Sequence, residues 1–154
     1  IQFCSITISN RRRFTNGRLP SSGRKHPVRS PTHWDYSQAI RTSTKDLLFI
    51  AGQVSVDMEG NVVGVGDAAA QTRQIFENLG NILASQGASF SDVVEFTTYV
   101  VGRESSAGYR QGRAEVYPDL FPNGDFPANT LLIISGLASE DFLVEISATA
   151  AIPD

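Results

Sequence analysis

The chain has 154 residues, enough for one domain with a real core and too few for two. With 41% hydrophobic residues, no apolar run near the roughly 18–20 residues of a bilayer crossing, and Cys4 as the sole cysteine, membrane spans, intrachain disulfides and cysteine-rich zinc sites are excluded. The net charge of −3 is divided unevenly: residues 1–32 hold seven basic residues and no acid, leaving 6 basic residues against all 16 acids in the remainder, a balance of −10 that disfavours phosphate backbones as partners.

The basic, serine-containing stretch 1–32 has no clear hydrophobic period. It is read as an extension to the domain at 33–154: unstructured, derived from expression, or an organellar transit segment. The expected location is the cytoplasm, or a mitochondrion or other organelle if the stretch is a transit segment. Residues 46–54 (DLLFIAGQV) predict a buried strand bounded by turn residues. A turn follows at 57–60, and 61–65 is a short strand or an extended connection. Asp67 is placed to cap a helix whose Ile75, Leu79, Ile82 and Leu83 share one face, and Gly87 stands where a left-handed residue would end it.

Residues 93–101 (VVEFTTYVV) are β-branched and aromatic, the mark of a second strong strand. A second helix is expected over 105–117, weakened by Gly108 and Gly112 and ended by Pro118. A short strand at 131–134, a loop at 137–141 and a last strand at 142–152 complete the chain. In that last strand Val144, Ile146, Ala148 and Ala150 fall on one face. The order predicts an α+β sandwich with both helices on one face of a four- or five-stranded sheet. The other face then carries apolar side chains without cover, which argues for self-association.

His26 and His33 both precede the first strong strand, so a Ser-His-Asp triad or a histidine zinc site inside the domain is not expected. There is no phosphate-binding GxxxxGK[ST] loop. The segment 64–69 (GVGDAA) matches G-x-G-x-x-A, but Asp67 would put a carboxylate where a pyrophosphate must sit, and no acid stands about 20 residues on. It is read as a glycine turn followed by a helix cap.

Four segments in order carry a resemblance: Tyr36-Ser37-Gln38-Ala39, Ala51-Gly52-Gln53, Phe126-Pro127-Ala128-Asn129 and Val144-Glu145-Ile146. Together with 71–87 and 93–101 they resemble the Rid (YjgF-like) family of reactive-intermediate deaminases over residues 36–152. The resemblance implies a chorismate-mutase-like fold and a homotrimer with small-molecule clefts between subunits. It also implies hydrolysis of 2-imino or enamine acids to keto acids and ammonia, without metal or organic cofactor.

In the family an arginine after FPA forks the substrate carboxylate, and a glutamate on the last strand orients a water. The glutamate maps onto Glu145 and the arginine onto Asn129, which lacks both the charge and the fork. Ala51 stands where members have serine, Ala114 where many have asparagine, and Trp34-Asp35 where Gly-Pro is usual. The expected site is therefore Glu145 as the catalytic carboxylate, with Tyr36, Ala51, Ala114 and Asn129 around the substrate. Each has a plainer reading: Glu145 in an ion pair, Tyr36 in packing, Asn129 bonding its own turn. Arg103, Arg110 and Arg113 read as a solvated helix face, or one of them as the missing guanidinium.

The expected activity is binding of a small metabolite, with any turnover directed at an imine- or enamine-type C–N bond other than the usual 2-imino acids. The alternatives are a non-enzymatic ligand-binding or chaperone-like protein, and an endoribonuclease, a label relatives carry. The last is opposed by the −10 balance and the lack of histidine beyond His33.

Overall fold

The computed structural model describes residues 26–29, 35–42 and 46–152. Its elements are β1 (His26–Arg29), β2 (Ser37–Arg41), β3 (Asp46–Gln53), α1 (Ala68–Ser85), β4 (Val93–Val101), α2 (Ser105–Leu120), β5 (Ala128–Ile134) and β6 (Val144–Ile152), with one 3-10 turn at Phe90–Asp92 before β4. The strands form a single mixed sheet in the order β1-β2-β5-β4-β6-β3. Strand β1 lies inside the stretch read as a basic extension; the rest of that stretch, and Trp34, fall outside the described residues.

The two helices share one face for a topological reason. β5 pairs parallel with β4, while β6 runs antiparallel between β4 and β3, so β3, β4 and β5 all point the same way. Each helix is the crossover between two of these parallel strands, and both crossovers step in the same direction across the sheet. Right-handed connections then deposit both helices on the same side. The α+β architecture expected from the chain is what forms.

Helix α1 forms as its residues predict. The Asp67 carboxylate accepts from the Ala69 and Ala70 amides at 2.9 and 3.0 Å, while Ile75, Leu79 and Leu83 are fully buried. At the other end Gly87, at φ 68°, donates to Ala84 and Ala88 donates back to Leu83, the paired bonds of a Schellman stop. The glycines at 64 and 66 have positive φ and make the turn into the cap. Gln71, buried on α1, pins that turn: its amide donates to the carbonyls of Gly64 and Asp141 and accepts from the Leu143 amide.

Helix α2 departs from expectation at both glycines and at its end. A Cβ at Gly112 would lie 2.6 Å from the Ala69 carbonyl oxygen and 2.8 Å from the Thr72 Cβ, and one at Gly108 would lie 3.0 Å from the Ala68 Cβ. The two glycines, four residues apart, are the seam along which α2 approaches α1; their lost helix propensity is offset by close packing. Pro118 sits inside the helix, which runs on to Leu120. Tyr117 and Phe121, in edge contact at 5.0 Å, pack that last turn against Phe76 and Phe126, and the Phe121 amide still reaches the Tyr117 carbonyl.

Other differences lie in the strands. Strand β3 is an edge, with Ile50 buried against the helices but Phe49 76% exposed, so it is covered on one face only. Residues 61–65 contribute one bridge, Val56 to Val62, rather than a strand. Strand β5 begins at Ala128 rather than 131, and β6 at Val144 rather than 142. Strand β2 has no apolar alternation to announce it. The face of β6 carrying Val144, Ile146, Ala148 and Ala150 is buried as predicted.

Candidate functional site

Two of the sequence motifs meet through strand pairing. Ser37 of β2 lies beside Ala128 of β5 in parallel register. The Ser37 amide donates to the Pro127 carbonyl at 2.9 Å, and its hydroxyl donates to the Phe126 carbonyl at 2.6 Å. These bonds tie the tyrosine-serine segment to the FPAN segment and place Tyr36 next to Asn129.

Between them and α2 opens a cavity of ≈ 290 Å³ lined by Tyr36, Tyr109, Arg110, Arg113, Asn129 and Leu131. Its volume is at the low end of ligand pockets, suited to a small metabolite rather than a nucleotide. Asn129 is more than a turn residue: its carbonyl accepts from the buried Thr98 hydroxyl at 3.1 Å, which leaves the amide's N–H donors for a ligand. Thr98 lies 3.5 Å from the Tyr109 hydroxyl, so a short polar chain runs from the core to the cavity wall.

Arg103 and Arg110 are exposed, as expected of a solvated helix face. Arg113 is not. Its side chain is 14% exposed, and its guanidinium carbon lies 5.6 Å from the Tyr109 ring centre and 5.1 Å from that of Tyr117. Asp35 approaches the guanidinium only to 3.6 Å, and the Arg113 Nε is buried without a hydrogen-bond partner. Burial, above all, pushes the Tyr117 hydroxyl well above its ordinary pKa; the nearby Tyr109 adds to this while the Arg113 charge opposes it. Tyr117 therefore stays neutral, and its ring serves as a wall behind the arginine.

The remaining expected residues are elsewhere. Glu145 pairs with Tyr99 across β6 and β4, and Asn129 pairs with Phe96 across β5 and β4. Tyr99 and Phe96 are an odd number of residues apart on one strand, so Glu145 and Asn129 point to opposite faces of the sheet. Glu145 lies against Gly52 of β3, where a Cβ would collide with its carboxylate. Ala51 is exposed beside it, and Ala114 is exposed on α2 outside the cavity lining.

Sequence reading did not single out Tyr109 or Thr98, named Gly52 only as part of a motif, and read Arg113 as part of a solvated helix face or as a possible replacement for the missing guanidinium. A signal for part of this was present: Tyr109, Arg113 and Tyr117 recur every four residues, an aromatic-cation-aromatic stripe on one helix face. Among the described residues, no group of three potential metal-ligating side chains is close enough to hold an ion, and no helix is long and apolar enough to cross a membrane.

The model of the family described as Endoribonuclease L-PSP matches residues 28–152. A RutC family protein of Pyrococcus horikoshii is 37% identical over 115 residues, covering 75% of this chain and 85% of that one. The 3-aminoacrylate deaminase RutC of Acinetobacter baylyi is 31% identical over 109 residues, covering 71% and 82%. The crystal structure of a Rid-family protein of unknown function, YyfB from Yersinia pestis, superposes with a TM-score of 0.74 at 31% identity, covering 83% of this chain and 98% of that one.

Proposed function

This chain belongs to the Rid (YjgF/RutC) family, and we propose that it is a homotrimer whose inter-subunit clefts bind a small organic acid and hydrolyse its enamine or imine C–N bond. The observation that carries this reading is the placement of the polar cavity and Glu145 on opposite faces of one sheet. Within one chain they cannot serve the same ligand. Packing a second copy on the open face would cover exposed Phe49 and Leu132 and place Glu145 in an interface between subunits.

The chemistry asks little of the protein. An enamine acid tautomerises to its imine; water adds to the imine carbon, and the C–N bond breaks to give a carbonyl and ammonia. Glu145 orients the water, takes its proton and returns it to the departing nitrogen. The Asn129 N–H donors and Tyr36 hold the acid end. Because Asn129 offers neither charge nor fork, saturated 2-imino acids are not the preferred substrate. The relative named 3-aminoacrylate deaminase supports an enamine acid in which the reacting carbon is one bond farther from the carboxylate.

The test is to generate 3-aminoacrylate and 2-iminobutyrate in situ and follow their decay. The enamine acid is expected to be consumed faster with the protein than without, and Glu145→Gln is expected to remove the acceleration. Indifference to Glu145→Gln would overturn the reaction, and full turnover of 2-iminobutyrate would overturn the shift of substrate. A solution mass other than that of three chains would overturn the trimer.

A further inference from the structure

Arg113 is the largely buried cation of the cavity wall, and its Nε lacks a hydrogen-bond partner. A buried guanidinium is costly unless its donors are met. Here the two tyrosine rings stabilise the charge through their faces, the Nε is left without a partner, and among the described residues the carboxylate paired with the guanidinium, that of Asp35, stops at 3.6 Å. That carboxylate, Asp35, has a half-exposed side chain, so it can turn into solvent at little cost. The same cavity wall carries Tyr36 and the Asn129 amide.

We propose that Arg113 is the anion anchor of this cavity, taking the carboxylate of a small organic acid in a two-bonded fork while Asn129 donates from the side. Asp35 is the internal carboxylate that the ligand displaces. The inference rests on the reading of the cleft as a small-acid site and adds the residue that grips the acid and the residue that competes with it. The guanidinium comes from α2 rather than from β5, so the acid enters at a different angle, and the atom presented for reaction changes with it. Neither residue belongs to the motifs that carry the family resemblance.

The experiment is calorimetric titration of the full chain with 2-oxobutyrate, a stable keto acid, and with its uncharged amide, each variant first checked by thermal melting. The acid is expected to bind at least about 10-fold more tightly than the amide. Arg113→Met is expected to weaken acid binding about 10- to 100-fold, as for loss of a charge-assisted contact, with Arg113→Lys intermediate because it keeps charge without the fork. Asp35→Asn should tighten it. Equal binding of acid and amide by the wild type, or an Arg113→Met protein that binds as the wild type does, would overturn the anchor.

Should Arg113→Met fail to fold, unchanged affinity in both Arg113→Lys and Asp35→Asn overturns the proposal. Binding is read separately from turnover. Arg113-dependent binding without enamine hydrolysis would reject the reaction and sustain the anchor. Hydrolysis indifferent to Arg113 would do the reverse.

Discussion

The Ser37 hydroxyl donates to the Phe126 carbonyl at 2.6 Å across 89 positions of chain. With the amide bond from Ser37 to Pro127, it is the clasp that sets Tyr36 beside Asn129. Ser37→Ala removes the hydroxyl contact and leaves a carbonyl short of a partner, a loss of about 1 kcal/mol. The expected result is a lower urea midpoint together with weaker acid binding, since the cavity walls are no longer held in register. A midpoint shift with unaltered binding would show that the clasp serves stability alone.

Gly112→Ala sets two effects against each other. Helix propensity favours alanine by about 1 kcal/mol, but the added methyl meets the Ala69 carbonyl oxygen and Thr72 at distances real Cβ atoms do not adopt. Overpacking of this kind costs about 1–3 kcal/mol. The expected outcome is net destabilisation on denaturant titration, and neutrality would mean that α2 can slide away from α1.

Gly52→Ala addresses Glu145 without touching its carboxylate. A Cβ at position 52 occupies the space where that group lies. Turnover of 3-aminoacrylate is expected to fall toward that of Glu145→Gln, while 2-oxobutyrate binding, which uses the opposite face, holds within about 2-fold. Retained turnover would show that the glutamate reorients freely.

Acid stability is expected to depend in part on Asp67. Hydrogen bonds from the α1 amides, that of Ala70 foremost, hold its carboxyl below its ordinary pKa. A carboxyl with a lowered native pKa favours the fold above its unfolded value, about 4, and that contribution is lost as pH falls through the lower native value. Asp67→Asn keeps the cap acceptor but cannot titrate, so its melting temperature should fall less steeply than the wild type's between pH 5 and 2.5. Parallel curves would remove Asp67 as a source of the acid slope.

Much of the scaffold was legible because its signals are local. An N-cap, a four-residue face and a left-handed glycine define α1 from within the short stretch 67–87, and the β-branched run of β4 needs no context. The glycines and proline of α2 misled because their meaning is not local: Gly108 and Gly112 are explained by α1, and Pro118 by the aromatic cluster around Tyr117 and Phe121. Strand β2, without apolar alternation in sequence, forms by pairing with β1 along its length and with the FPAN segment at Ser37.

By itself, then, the sequence determined the layers and the family resemblance and pointed to Tyr36, Asn129 and Glu145 as candidates, since each rests on spacing along the chain or on a short motif. Only the tertiary structure decided which of them share a site. The pleat sends Asn129 and Glu145 to opposite faces. Parallel pairing of Ser37 with Ala128 joins Tyr36 to Asn129, and the packing of α2 turns Arg113 from an apparent surface charge into a half-satisfied guanidinium facing a cavity. Facing, pairing and burial are relations between distant segments, and no local periodicity encodes them.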